Sequence, residues 1–112
     1  AAAPYGTAAI EVLDALGLTK ALTPKIVTGQ NISQTHQFVD TANAELGFVA
    51  YSQVIGREDG SHWLVDEMLY SPITQDAILL STDNEAAAGF LDFLRSDAGV
   101  AIIESYGYGV AE

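Results

Sequence analysis

Pro4-Tyr5-Gly6, set against an apolar helical stretch, is the arrangement in this chain best suited to chemistry. Proline donates no backbone hydrogen bond and fixes the chain's path into the turn. Gly6 lets the backbone approach a bound group with no side chain in the way. Thr7-Ala8-Ala9-Ile10-Glu11-Val12-Leu13 then reads as helix. The first amides of a helix lack intrahelical partners and carry partial positive charge. Such a loop holds an anion without Lys or Arg. Gln30-Asn31-Ile32 is a second opening of the same kind, with Asn31 as its cap. Tyr5 and Ile32 are therefore the candidate donors, through their main-chain amides.

Covalent chemistry finds no such support. Ser52, Ser61, Ser71, Ser81, Ser96 and Ser105 lack the Gly-x-Ser-x-Gly elbow. His36 and His62 have no acid and third partner at readable spacing, and read as surface or structural histidines. No His/Asp/Glu set has metal-ligand spacing. Without cysteine there is no disulfide and no thiolate zinc site. The expectation is no catalytic residue, no metal site and no cofactor. Fifteen acids against four bases give a net charge of -11, which repels nucleic acid and acidic membrane surfaces. No apolar run reaches the ~18–20 residues that span a bilayer. Ala1-Ala2-Ala3 is no signal peptide, although a signal can lie upstream. A hydrophobic fraction of 49% with 17% charged residues describes a folded chain. Its 112 residues are one small domain's worth, enough to bury a real core.

The elements that must position these loops follow from periodicity. A first helix spans Thr7 to Leu16, with Ile10, Val12, Leu13 and Leu16 inward, Glu11 and Asp14 in water, and Gly17 as the stop. A helical turn around Lys20-Ala21-Leu22 ends at Pro24. Lys25 to Thr28 reads as a strand, and Ile32 to Ala42 as a helix with Ile32, Thr35, Phe38, Val39 and Ala42 on one face. Leu46 to Ala50 is a strand buried on both faces. His62 to Val65 and Asp76 to Leu80 are extended, with Asp59-Gly60 a turn between. Asp83 or Thr82 caps a helix holding Ala86 to Leu94. Ser96 caps another from Asp97 to Tyr106, closed by Gly107. Alternating helices and strands with short connections make an α/β fold, in which such loops gather at strand ends.

Taken in order, these pieces resemble the molybdate-binding periplasmic proteins of ABC importers. The resemblance runs through Ala3-Pro4-Tyr5-Gly6, Pro24-Lys25-Ile26-Val27, Gly47-Phe48-Val49-Ala50 with Ser52-Gln53-Val54, and Gln75-Asp76-Ala77. It continues through Phe90-Leu91, Leu94-Arg95-Ser96, Ile103 and Tyr106-Gly107-Tyr108-Gly109. It implies a periplasmic-binding-protein type II-like lobe, a mixed sheet flanked by helices, here a truncated half of a two-lobed protein. Residues 1–70 would be the second-lobe α/β domain. Residues 71–112 would be a crossover strand and C-terminal helices that pack on the missing first lobe.

The resemblance further implies molybdate or tungstate as ligand, ABC permease subunits as partners, and a periplasmic location. Tyr5 and Ile32 match positions whose backbone amides contact the oxyanion. One branch of the family also uses a tyrosine hydroxyl where this chain has Ala50, so Tyr51 is only a neighbouring candidate. Phe90, Tyr106 and Tyr108 read as core or lobe-packing aromatics, and with the first lobe absent a second copy of the chain would cover them. Two rival readings stand beside this one. One is a ligand-free structural module dimerising through its C-terminal helices. The other is an acid–base hydrolase, for which no carboxylate pair is placed by a readable motif.

Overall fold

The computed structural model describes residues 3–110. Ala1 and Ala2, most of the Ala1-Ala2-Ala3 start, lie outside the described residues. Helix α1 is Pro4–Ala15, so Pro4-Tyr5-Gly6 is its first turn and not a loop ahead of it. The reason is proline at the first helical position, where its missing N–H costs nothing and its fixed φ suits the helix. The end falls where Gly17 predicts it. Gly17 has φ 69°, its amide donates to Asp14 O at 3.0 Å and that of Leu18 to Leu13 O at 2.8 Å. These are the paired bonds of a Schellman end.

Helix α2, Thr19–Leu22, runs into a 3₁₀ turn at Thr23–Lys25, so winding continues past Pro24 to the residue expected to open a strand. Helix α3, Ile32–Asp40, begins at the predicted cap: Asn31 Oδ1 accepts from Gln34 N at 2.8 Å. It stops short of the expected Ala42 because Ala42 turns to φ 56°. Its amide donates to Val39 O at 3.0 Å, and Ala44 N donates to Phe38 O at 2.8 Å. An alanine thus occupies the left-handed position that glycine fills after α1 and α5.

Helix α4, Glu85–Arg95, is capped by Asn84 and not by Asp83 or Thr82; Asn84 Oδ1 accepts from Ala87 N at 3.0 Å. Helix α5, Asp97–Ser105, follows after Ser96 alone, whose hydroxyl accepts from Gly99 N at 3.2 Å as expected. So sharp a corner requires Gly99, since a Cβ there would lie 2.1 Å from Phe93 O. Gly107 closes α5 with φ 82°.

The expected strands do not form among the described residues. Lys25 belongs to a 3₁₀ turn, and Ile26–Thr28, Leu46–Ala50, His62–Val65 and Asp76–Leu80 carry no ladder pairing. The backbone bonds outside the helices are local, turn and cap bonds such as Ala44 N to Phe38 O. An extended segment becomes a strand only when a neighbour takes its N–H and C=O groups. Leu46–Ala50 shows the consequence. Instead of burial on both faces, Leu46 is 86% exposed and Ala50 alone is buried. Gly47 lies against α3, where an added Cβ would meet Val39 Cγ2 at 2.6 Å.

Contacts divide the chain into Ala1–Ile73 and Thr74–Glu112. In the first unit α1 packs on α2 and on a 3₁₀ turn at Glu67–Leu69. Glu11, expected in water, is half-buried there and accepts from Ser71 N at 2.5 Å and Ser71 Oγ at 3.3 Å. In the second unit α4 packs on α5. The buried apolar residues among those described are Val12, Leu13 and Ala50. The core that this length allows is therefore small. Met68 and Leu80 are more than nine-tenths exposed, and Phe90, Phe93, Ile102 and Tyr106 are exposed on α4, α5 and the α5 cap.

The strained alanine gives a direct test. A left-handed non-glycine residue costs roughly 1–2 kcal/mol, and glycine's extra freedom in the unfolded chain returns about 0.4–1 kcal/mol of that. Ala42→Gly is expected to stabilise the chain by about 0.5–1 kcal/mol in urea unfolding. An unchanged or lowered midpoint contradicts this account of the α3 terminus.

Candidate functional site

Both predicted donors open a helix in the first unit. Tyr5 is the second residue of α1, behind Pro4, and Ala3 ahead of it is extended (φ -84°, ψ 132°) with no side-chain cap. The first i to i−4 bond of α1 is Thr7 N to Ala3 O at 3.0 Å, with Thr7 Oγ1 3.3 Å from the same oxygen. Tyr5 and Gly6 therefore occupy the turn whose amides point out along the helix axis.

At α3 the cap is built differently. Asn31 takes Gln34 N, and Gln34 Oε1 reaches back to Gln30 N at 2.7 Å. Thr35 N closes on Asn31 O at 3.1 Å. The caps thus occupy the amides of Gln30 and Gln34, while Ile32 and Ser33 are the first and second helical residues. The loop sits tightly over this turn. A Cβ on Gly29 would lie 2.4 Å from Thr35 Oγ1 and 2.9 Å from Thr35 N, so glycine is required there by close approach. Ala50 is buried and its amide donates to Gln53 Oε1 at 3.1 Å. Tyr51 starts a 3₁₀ turn at Tyr51–Gln53 and its ring leans on His62, centroids 6.2 Å apart and tilted by 50°.

One cluster escaped the sequence reading. Arg57 Nη2 donates to Asp40 Oδ1 at 2.7 Å, and Nε donates to Asp59 Oδ1 at 2.9 Å. A second Arg57–Asp59 bond, Nη2 to Oδ2, completes a fork, and Nη1 lies 3.3 Å from His36 Nε2. His36 thus lies against Arg57, within its reading as a surface or structural histidine. The available signal was slight: His36 and Asp40 share a face of α3 at i, i+4, and Arg57-x-Asp59 is a local pair. The hydrogen bonds from Arg57 lower the Asp59 carboxyl from 3.8 to about 2. Donating to Asp59, and then to Asp40, raises the guanidinium further above its ordinary value. Arg57 is committed to carboxylates.

A groove of about 390 Å³ in the second unit is lined mainly by Ile78, Leu79, Leu80, Phe90 and Leu91, a surface unsuited to a dianion. Among the described residues no group of His, Asp and Glu is placed to hold a metal. No described helix is long and apolar enough to cross a membrane.

A sequence pattern for bacterial extracellular solute-binding proteins matches residues 1–109. The chain belongs to that family. Within it, the chain is 56% identical over 108 residues to the molybdate-binding protein ModA of Rhodobacter capsulatus, covering 95% of this chain and 43% of that one. It is 51% identical over 113 residues to the ModA of Azotobacter vinelandii, covering 96% and 45%. The solved Azotobacter vinelandii periplasmic molybdate-binding protein superposes with a TM-score of 0.85 at 34% identity, over 97% of this chain and 50% of that one. The chain thus spans about half the length of the relatives it matches.

The Arg57 cluster carries a pH prediction. The depressed Asp59 carboxyl contributes stability that is complete above the ordinary value of 3.8 and lost as pH falls through about 2. A carboxyl-resolved NMR titration is expected to place the Asp59 midpoint near 2, and to move it upward in Arg57→Ala, where a backbone hydrogen bond still lowers it. A parent midpoint near 3.8 contradicts the fork.

Proposed function

We propose that this solute-binding chain supplies half of a site for a tetrahedral oxyanion, molybdate or tungstate, and that the protein serves an ABC importer in the periplasm. The other half comes from a first lobe, and permease subunits receive the ion when the lobes part. In this reading the unpaired extended segments are strands of a type II mixed sheet, completed by the rest of the protein. The chain performs no covalent chemistry.

The observation that carries the reading is the place of Tyr5 and Ile32, each in the first turn of its helix, in a chain similar over nearly its whole length to molybdate-binding proteins. Molybdate and tungstate are dianions without a proton at neutral pH, so donors alone suit them. Phosphate usually keeps a proton there and needs an acceptor too. Main-chain donors bring no countercharge, which favours release. A chain of net charge -11 with Arg57 already paired has few other means of holding an anion.

Exposed Phe90, Phe93, Ile102 and Tyr106 favour a second reading, a ligand-free module that dimerises through α4 and α5. Affinity separates the two. Two hydrogen bonds to a charged ligand supply roughly 3–6 kcal/mol, against an association cost of about 4–15 kcal/mol. Calorimetry is expected to give the isolated chain a molybdate Kd no tighter than about 1 mM. With the N-terminal half of a full-length relative added, molybdate is expected to raise the thermal midpoint. A micromolar Kd for the chain alone overturns the half-site, and no thermal response with both halves favours the module.

A further inference from the structure

Glu11 makes contacts that the oxyanion reading does not use. It stands on α1, six residues beyond Tyr5, about 9 Å along the helix axis. Its carboxylate accepts both the N–H and the hydroxyl of Ser71, at 2.5 and 3.3 Å. Among the described residues no backbone carbonyl accepts from Ser71 N. The approach to Ser71 is itself fixed. Asp66 Oδ1 caps Met68 N at 2.9 Å, and the Glu67–Leu69 turn packs on α1. Pro72 follows and holds Ser71 extended. The first unit ends at Ile73.

We propose that Glu11 is a positioning residue that fixes where the chain leaves the first unit. The chain's local freedom then begins after Ser71 and not at the Glu67–Leu69 turn. Because the grip is on α1, the exit point is tied rigidly to the turn that carries Tyr5. The link to Tyr5 rests on the oxyanion reading; the grip does not.

Ser71 is exposed, so water replaces a lost carboxylate at its N–H. The effect of losing Glu11 is therefore local order rather than overall stability. Amide exchange and ¹⁵N relaxation on the 112-residue chain, without ligand, test this. In Glu11→Ala the Ser71 amide is expected to exchange at least about tenfold faster. Order parameters at Tyr70 and Ser71 are expected to fall from about 0.85 to below about 0.6, with Val12 and Leu13 amides unchanged. Glu11→Gln keeps one acceptor oxygen and is expected to restore most of the protection. An unchanged Ser71 rate overturns the proposal. So does a rise of equal size at Val12 and Leu13, or failure of Glu11→Ala to fold, since either makes Glu11 a general stability residue. No arm uses molybdate, so failure here leaves the half-site standing, and failure of the half-site leaves this grip standing.

Discussion

The opening turn of a helix leaves amides that the helix itself cannot satisfy, and the proposed site draws on two such turns. At α1 proline removes one donor, and the Ala3 cap makes no side-chain bond. At α3 Asn31 and Gln34 engage the amides of Gln34 and Gln30, and leave Ile32 and Ser33 at the tip. Both turns gather positive potential without a charged side chain. In a chain with fifteen acids and four bases that distinction matters. Of the four cationic side chains, Arg57 is already paired with Asp40 and Asp59.

The rest of the first unit keeps those turns in place. Gly29 admits the backbone against Thr35 where any side chain would collide. The Schellman end at Gly17 terminates α1 and turns the chain into α2. Val12 and Leu13 bury the middle of α1, so its first turn is carried by an anchored rod. The second unit is a helical corner, α4 to α5 through Ser96, with large apolar residues left in solvent. Such surface on a small unit is characteristic of a face that packs elsewhere.

Helix ends were the most legible part of the sequence. Asn31, Ser96, Gly17 and Gly107 act at short range, through a side chain or a φ angle that needs no distant partner. Asn84 lay hidden among Thr82, Asp83 and Asn84, three adjacent residues all able to cap. Ala42 could not be foreseen, because nothing in an alanine announces φ 56°. The strands were read from residues that do favour extended backbone, yet pairing depends on neighbours that a local pattern does not contain. Arg57 with His36 and Glu11 with Ser71 were invisible for the same reason, since each joins residues far apart in the chain. Of the proposed site, the α3 opening was legible from Asn31, whereas Pro4 marked the α1 start but Gly6, expected in a loop, lies inside the helix. The ligand proposed for these openings rests on resemblance.

The claim that main-chain amides at two helix openings hold the ion is tested most directly by titrating ¹⁵N-labelled chain with molybdate and following every amide. The account predicts that the largest shifts fall on Tyr5, Gly6, Ile32 and Ser33 and saturate together in the millimolar range. Shifts centred on Lys20, Lys25 and Arg95, or saturation at one helix opening without the other, would contradict it.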